Sequence, residues 1–515
     1  MCVDSKSEHS STTDDDSEIL ASDTNYQPLN SNHREKEKKW SRRGLLAQTF
    51  VTGAVMLSSA SCGMPVGYSA VLLPQLKIAN DTMQIDDEMG SWIASVHSAA
   101  TPFGSLLSGL LMDRCGRKLA LQIASMPLIL GWILIGLANN HGLLLLGRLV
   151  AGLSAGLTAA AGQVLIGEIS EPHLRGIFSS VPFASYSFGI LIVYALGSLV
   201  QWRYVAGICT VLPLVSILSF FFLPESPVWL ARHGKIDQAR KALVWLRGKN
   251  VLQANKETEH LLERMKHEKL QESQTTYRVF FKKEVIKPFI IINIFNVLQI
   301  LSGTYLIVFY AVDILSHIQT NEIDHFLAAV LTAGMRFIFT IIASILLVFM
   351  GRRTIALTSG IGTTLSALCL GVLLLQNCST NAYISAVLVL TYVATNTLGF
   401  MILPGVMLAE LFPAKVRGLA GGFTFMTFNL VLFVIAKVFP LLKATVGVSG
   451  VFCIFGGSSL LASLFLYLML PETKGRSLSE IEDYFQEDNI LWTSRRKNKL
   501  NKAEEKGLET EKLSV

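Results

Sequence analysis

GEISEPHLRG at residues 167–176 returns as AELFPAKVRG at 409–418, so that Glu168 and Arg175 are spaced as Glu410 and Arg417 are. Two further segments repeat in the same order. GLLMDRCGRK at 109–118 has a reduced copy, VFMGRR, at 348–353, and PESP at 224–227 has PETK at 471–474. Three matched pairs in one order mean that an ancestral unit was duplicated with small insertions. Duplication around a central site is the architecture of membrane transporters.

Reading outward in windows of about 19 residues, apolar runs lie near 45–70, 89–112, 119–138, 142–168, 176–199, 202–223, 288–315, 325–350, 355–376, 382–408, 417–441 and 447–470. Each is continuous and long enough to cross roughly 30 Å of hydrocarbon as a helix, unlike the short alternating segments of a barrel. The expected fold is an all-α membrane protein of twelve transmembrane helices in two six-helix bundles, with small cytoplasmic helices. Composition agrees: the 515 residues are 51% hydrophobic and 16% charged, with a mean hydropathy of +0.46, too apolar for an ordinary soluble protein.

The expected organisation is an N-terminal tail at 1–43, a six-helix bundle at 44–223, a linker at 224–287, a second bundle at 288–470 and a C-terminal tail at 471–515. The first tail is polar and Ser- and Asp-rich, without the apolar core of a signal peptide. In the linker, 236–248 places Ile236, Ala239, Leu243 and Leu246 on one helical face, and the run from Glu257 to Gln274 is a charged helix pattern.

Charge sets the orientation. Outside the membrane lie only Lys77, Arg203 and Lys443, and within spans only Arg148, Arg336 and Lys437; the rest of the 44 Lys and Arg residues fall on the side of the termini. By the positive-inside rule both termini are cytoplasmic in a multi-pass protein of the cell membrane. The net charge of +6 belongs to that face and forms no nucleic-acid-binding module. Sequons at Asn80 and Asn377 fall in loops that this rule places outside, which makes both candidate glycosylation sites. Asp15 with Ile19-Leu20 has the form of an acidic dileucine sorting signal, which adds an endosomal pool. The seven cysteines contain no CxxC and are expected to be free packing residues, and neither a metal nor a cofactor is expected.

Together the repeated motifs resemble the sugar-porter branch of the major facilitator superfamily over 45–485, and PESPVWLARHGKIDQARKALVWLRG and PETKGRSLSEIEDYF resemble the insect facilitated trehalose transporters. The resemblance implies a sugar carrier, not an enzyme, whose two bundles rock about a midplane site, with the bilayer and a small-molecule sugar as partners in a monomer. It also implies a cytoplasmic gate of ion pairs between the bundles, built from Asp113, Arg114, Arg117, Glu168, Arg175, Glu225, Arg352, Arg353, Glu410, Arg417 and Glu472. The second copy has Val348-Phe349-Met350 before GRR, which predicts a weaker latch there.

For the substrate, the seventh span is the richest in polar residues. Asn293, Asn296 and Gln299 recur every third residue, on one face of a helix that Ser302-Gly303 can bend. Carried over from the family, the candidates are Asn296, Gln299, Tyr305, Arg336 and Asn429. Much of the family's sugar cage is replaced: the fifth-span Gln position is Phe183, the second seventh-span Gln is Ile300, and the tenth-span Trp is Gly405. A transporter-like receptor without flux, or a carrier of another organic solute read by Arg336, are the competing functions. Arg148 matches a position that in proton-coupled members faces a first-span Asp, and here Ser69 stands in that place. Facilitated uniport is therefore expected, with Asp313 near the outer end solvated by water.

Overall fold

The computed structural model describes residues 42–77, 83–271, 283–318, 325–376, 382–412, 416–474, 481 and 484–485. Among the described residues all regular structure is helical. Asn80, Asn377 and the Asp15 motif lie outside them.

The first half runs through Arg42–Lys77, Asp87–Cys115, Arg117–Gly136, His141–Ile169 and Pro172–Gly197, and its sixth span is split at Thr210 into Trp202–Cys209 and Val211–Phe221. In the second half the seventh span is Lys283–Leu301 followed by Leu306–Phe309 and Ala311–Ile318. The eighth and ninth are His325–Phe349 and Arg352–Leu375, and the tenth is Ala382–Leu398 with Leu403–Leu411. The stretch Arg417–Met469 holds the last two spans, separated at Gly447, where φ is +69°. Ten described helices are long and apolar enough to cross a membrane. Dividing the last stretch and adding Asp87–Cys115, whose Ser91, Ser95, His97 and Thr101 are buried among neighbouring helices, completes a twelve-helix fold.

Local chemistry fixes the helix starts. Asp86 and Asn140 accept the amides of Met89 and Leu143 at 2.8 and 2.7 Å, satisfying donors that have no partner inside a helix. Pro172 and Pro227 open their helices where a missing N–H costs nothing.

Three of the apolar clusters show how the halves meet. At the end away from the Lys- and Arg-rich loops one cluster contains residues of both halves, among them Leu72, Trp132, Tyr194, Phe309 and Phe455. At the basic end Val51, Leu165 and Phe220 belong to a first-half cluster, and Ile292, Phe400 and Leu466 to a separate second-half cluster. The halves are therefore packed together at the far end and independently at the basic end. Trp92 and Phe433 meet across the far end with ring centroids 6.3 Å apart.

The linker helices are Pro227–Arg232, Ile236–Leu246 and Val251–Gln271. Ala239, Ala242, Leu243 and Leu246 are buried in the second of them, whereas Ile236, expected on that face, is exposed. Arg247 ties the linker to the first half: it donates to Ile169 O at 3.1 Å and pairs with Glu257 at 2.8 Å.

Candidate functional site

At the basic end the repeated motifs fold into two copies of one cluster. Arg117 Nη2 lies 2.9 Å from Glu168 Oε1, and Arg352 Nη2 lies 2.7 Å from Glu410 Oε1. Each arginine also donates to a carbonyl five residues earlier, Met112 O at 3.3 Å and Leu347 O at 3.1 Å. The PESP and PETK glutamates then accept backbone amides that open a helix: Glu225 takes Arg117 N at 2.9 Å, and Glu472 takes Arg352 N at 2.9 Å. A carboxylate there satisfies free N–H groups and complements the helix dipole. Gly116 and Gly351 precede these amides, and a β-carbon on either would stand 2.4 or 2.3 Å from the glutamate Oε2. Glycine at both places lets the carboxylate reach the backbone.

The pairs made by Arg117 and Arg352 join helices of the same half. The expected bridges between bundles are not among them, because at this end the halves pack separately. Arg114 and Asp113 are exposed, and Asp113 reaches only 3.9 Å from Arg117. The Arg353 amide accompanies that of Arg352 on Glu472, at 3.2 Å. The side chains of Arg175 and Arg417 lie outside the described ones.

Deep in the first half, Arg148 is fully buried. It donates to Ile93 O at 3.1 Å, to Pro65 O at 2.5 Å and to Ser69 Oγ. Neutral oxygens thus hold the guanidinium, and among the described residues no carboxylate pairs with it. Asp313, expected to be solvated, is instead held by Lys443 at 2.6 Å. Both side chains are largely shielded there, which favours pairing over separate hydration.

The seventh span breaks at Gly303. Gly303 has φ +83°, and a β-carbon there would lie 2.5 Å from Phe455 and 2.6 Å from the Tyr392 hydroxyl. Around this break Thr304 Oγ1 donates to Gln299 O at 3.1 Å, Asn396 Nδ2 donates to Ser302 Oγ at 3.4 Å, and Tyr392 donates to Ser302 O. Arg336 comes from the eighth span to donate to Thr304 O and, at 3.6 Å, to the Met401 thioether. It is buried and does not snorkel outward.

Four of the five predicted substrate residues divide by what occupies their polar atoms. Both amide atoms of Gln299 and the Asn296 and Asn396 Oδ1 atoms are buried and make no hydrogen bond within the protein. Each such group left unpaired costs about 1–3 kcal/mol, which makes these atoms candidates for contact with a solute or water. Asn429, by contrast, donates to Phe425 O of its own helix at 2.9 Å. Tyr305 packs edge-on against Phe428 at 5.3 Å. Asn396, joined to the cluster through Ser302, is an addition that the sequence signalled only as a polar residue inside an apolar span.

A small cavity lies between the halves beside this cluster. Tyr194 of the fifth span, Val308 of the seventh, Thr332 and Arg336 of the eighth and Val393 of the tenth line it. Tyr194 donates to Val308 O at 2.5 Å, and Ser187 lies 3.2 Å from Thr340, so the fifth span contacts both neighbours across the divide.

The family model for sugar (and other) transporters matches residues 24–485. The chain belongs to that family. Its relatives include facilitated trehalose transporters Tret1 of Culex quinquefasciatus, 30% identical over 85% of each chain, and of Bombyx mori, 30% identical over 85% of this chain and 86% of that one. Among solved structures, the proton:xylose symporter XylE bound to 6-bromo-6-deoxy-D-glucose superposes with a TM-score of 0.71 at 20% identity, covering 86% of this chain and 100% of that one. XylE from E. coli in a partially occluded inward open conformation also superposes at 0.71, with 18% identity over 84% and 99%. These likenesses give the family member a major facilitator fold, and the chain is a transporter and not an enzyme.

Proposed function

We propose that this protein carries a sugar, trehalose or a hexose, down its gradient by alternating access. The observation that supports it best is the broken seventh span at Gly303, with the unsatisfied amides of Asn296, Gln299 and Asn396 on and beside it. Discontinuous spans are where transporters of this architecture hold solutes, because free backbone and side-chain groups face the ligand there. Residues 44–223 and 288–470 are the two moving bundles, and 224–287 is the linker docked on the first. The duplicated Arg–Glu clusters serve as the cytoplasmic gate, which in this open arrangement holds each half's own helices in register. Both termini face the cytoplasm of a cell-surface or endosomal membrane, the protein is a monomer, and Asn80 and Asn377 are glycosylated outside.

Uniport rests on Arg148. A coupled carrier needs a carboxylate that changes protonation during the cycle, and Ser69 takes that place. Full-length protein in liposomes, offered trehalose, glucose and polyols, should show saturable and stereoselective uptake. Folded protein inactive towards the whole panel would refute the reading.

A further inference from the structure

We infer that the solute carries a carboxylate, read by Arg336, so that the substrate class is a sugar acid and not a neutral sugar alone. This rests on the carrier function proposed above and deepens it. Arg336 lies in the middle of the eighth span and is only 3% exposed. A cation at such depth is costly unless an anion, a dipole or a polar cavity meets it. Its two recorded acceptors are the Thr304 carbonyl and the Met401 sulfur, and a thioether is a weak acceptor. Among the described residues no carboxylate pairs with it. Arg148 supplies the internal comparison, since three oxygens surround that guanidinium.

Arg336 does face one. Its cavity is walled by the apolar side chains of Val308 and Val393, with Ile190 and Tyr194 contributed by the other half. In such surroundings a carboxylate bonds a guanidinium more strongly than a neutral hydroxyl does, through paired N–H···O contacts. Thr304 lies between this cation and the residue that carries an unsatisfied amide: its carbonyl accepts from Arg336, and its hydroxyl donates to the main-chain O of Gln299. One face of the site thus asks for negative charge, and the adjoining face for hydroxyl groups. A compound with a carboxylate on a polyhydroxy chain or ring meets both demands at once.

The test uses full-length protein in liposomes with glucose, glucuronate, gluconate and lactate. Glucuronate should exceed glucose in initial uptake by about tenfold, the difference one charge-assisted bond supplies. Its uptake should slow when valinomycin and potassium make the interior negative, because uniport of the anion moves charge, whereas glucose uptake should not respond. Arg336→Gln should collapse the glucuronate-to-glucose ratio, and Arg336→Lys should recover part of it. If the variants fail to fold, the preference and its voltage dependence in the unmodified protein decide alone. Glucose carried with no advantage for either sugar acid overturns this inference and leaves the sugar carrier standing. Lactate carried as well as gluconate overturns the need for hydroxyls, and no uptake of any of the four overturns both readings.

Discussion

The ring of Phe183 stands over Gly405 so closely that a β-carbon on Gly405 would lie 2.8 Å from the ring's Cζ. The two residues belong to opposite halves, at two positions where the resemblance to sugar porters implies a Gln and a Trp. Their changes are coupled: the space a tenth-span side chain would fill is taken by an aromatic ring from the fifth. Gly405→Trp alone should overpack the interface by about 1–3 kcal/mol and suppress uptake. Phe183→Gln together with Gly405→Trp should restore folding and raise uptake of neutral hexose over Gly405→Trp. Thermal unfolding in detergent, alongside hexose uptake, measures both effects, and additive losses in the double variant would show that the two sites are independent.

The duplicated clusters make a second prediction, because their burial differs. Arg117 is 6% exposed at its side chain against 19% for Arg352. Removing one partner of a buried pair strands the other charge at a cost of about 3–5 kcal/mol, and partial exposure lowers that cost. Glu168→Gln should therefore lower the melting temperature more than Glu410→Gln does. Equal shifts would place the two arginines in equivalent surroundings.

The fold was legible because apolar runs and repeated motifs are local signals. The runs placed the span starts to within five residues, the widest difference being Lys283 against the expected 288, and the repeats pointed to two halves. What the basic motifs bind was less legible: Glu225 and Glu472 cap helices at Arg117 and Arg352, and only the folded chain brings PESP beside GRK. Likewise Gln299 stood out within one helix, whereas Asn396 joins it through Ser302 from another span. Arg336 could be placed in depth but not in direction, since a helix of unknown rotation allows a cation to turn outward or inward.

At the far end Lys437 Nζ lies 4.1 Å from the Trp92 ring and donates to Ser91 Oγ at 2.7 Å. These contacts run from the eleventh span to the second and so join the halves. Cation–π contacts of this kind contribute about 0.5–2 kcal/mol. Lys437→Ala should shift the carrier towards opening at this end, several-fold by population. Labelling of a cysteine introduced at Phe433 should become faster in the variant, and an unchanged rate would mean that apolar packing alone closes this end.

Gly303→Ala should abolish transport. The backbone there has φ +83° and the added carbon would meet Phe455 and Tyr392, so strain of about 1–2 kcal/mol adds to a steric conflict. Relief by moving Tyr392 would break its bond to Ser302 O and disturb Gln299 through Ser302, which donates to Gln299 O at 2.6 Å. Melting temperature and uptake should fall together, and retention of full uptake would remove the break in the seventh span from the mechanism.

Energy coupling follows from the surroundings of Arg148. In the described first half its guanidinium meets two carbonyls and the Ser69 hydroxyl, none of which exchanges a proton near neutral pH. Asp313, the carboxylate near the outer end of the seventh span, is ion-paired with Lys443 at 2.6 Å. Among the described residues no carboxylate faces Arg148, and the uniport proposed above is tested at that position. With a neutral solute, uptake into liposomes should stop when the internal and external concentrations are equal, and an inward proton gradient should leave that end point unchanged. Ser69→Asp would place a carboxylate against Arg148, and its uptake rate should become pH-dependent while the parent protein stays flat. Accumulation by the parent protein above the external concentration, abolished by a protonophore, would show a coupled carrier, and Asp313→Asn would then be the first variant to examine.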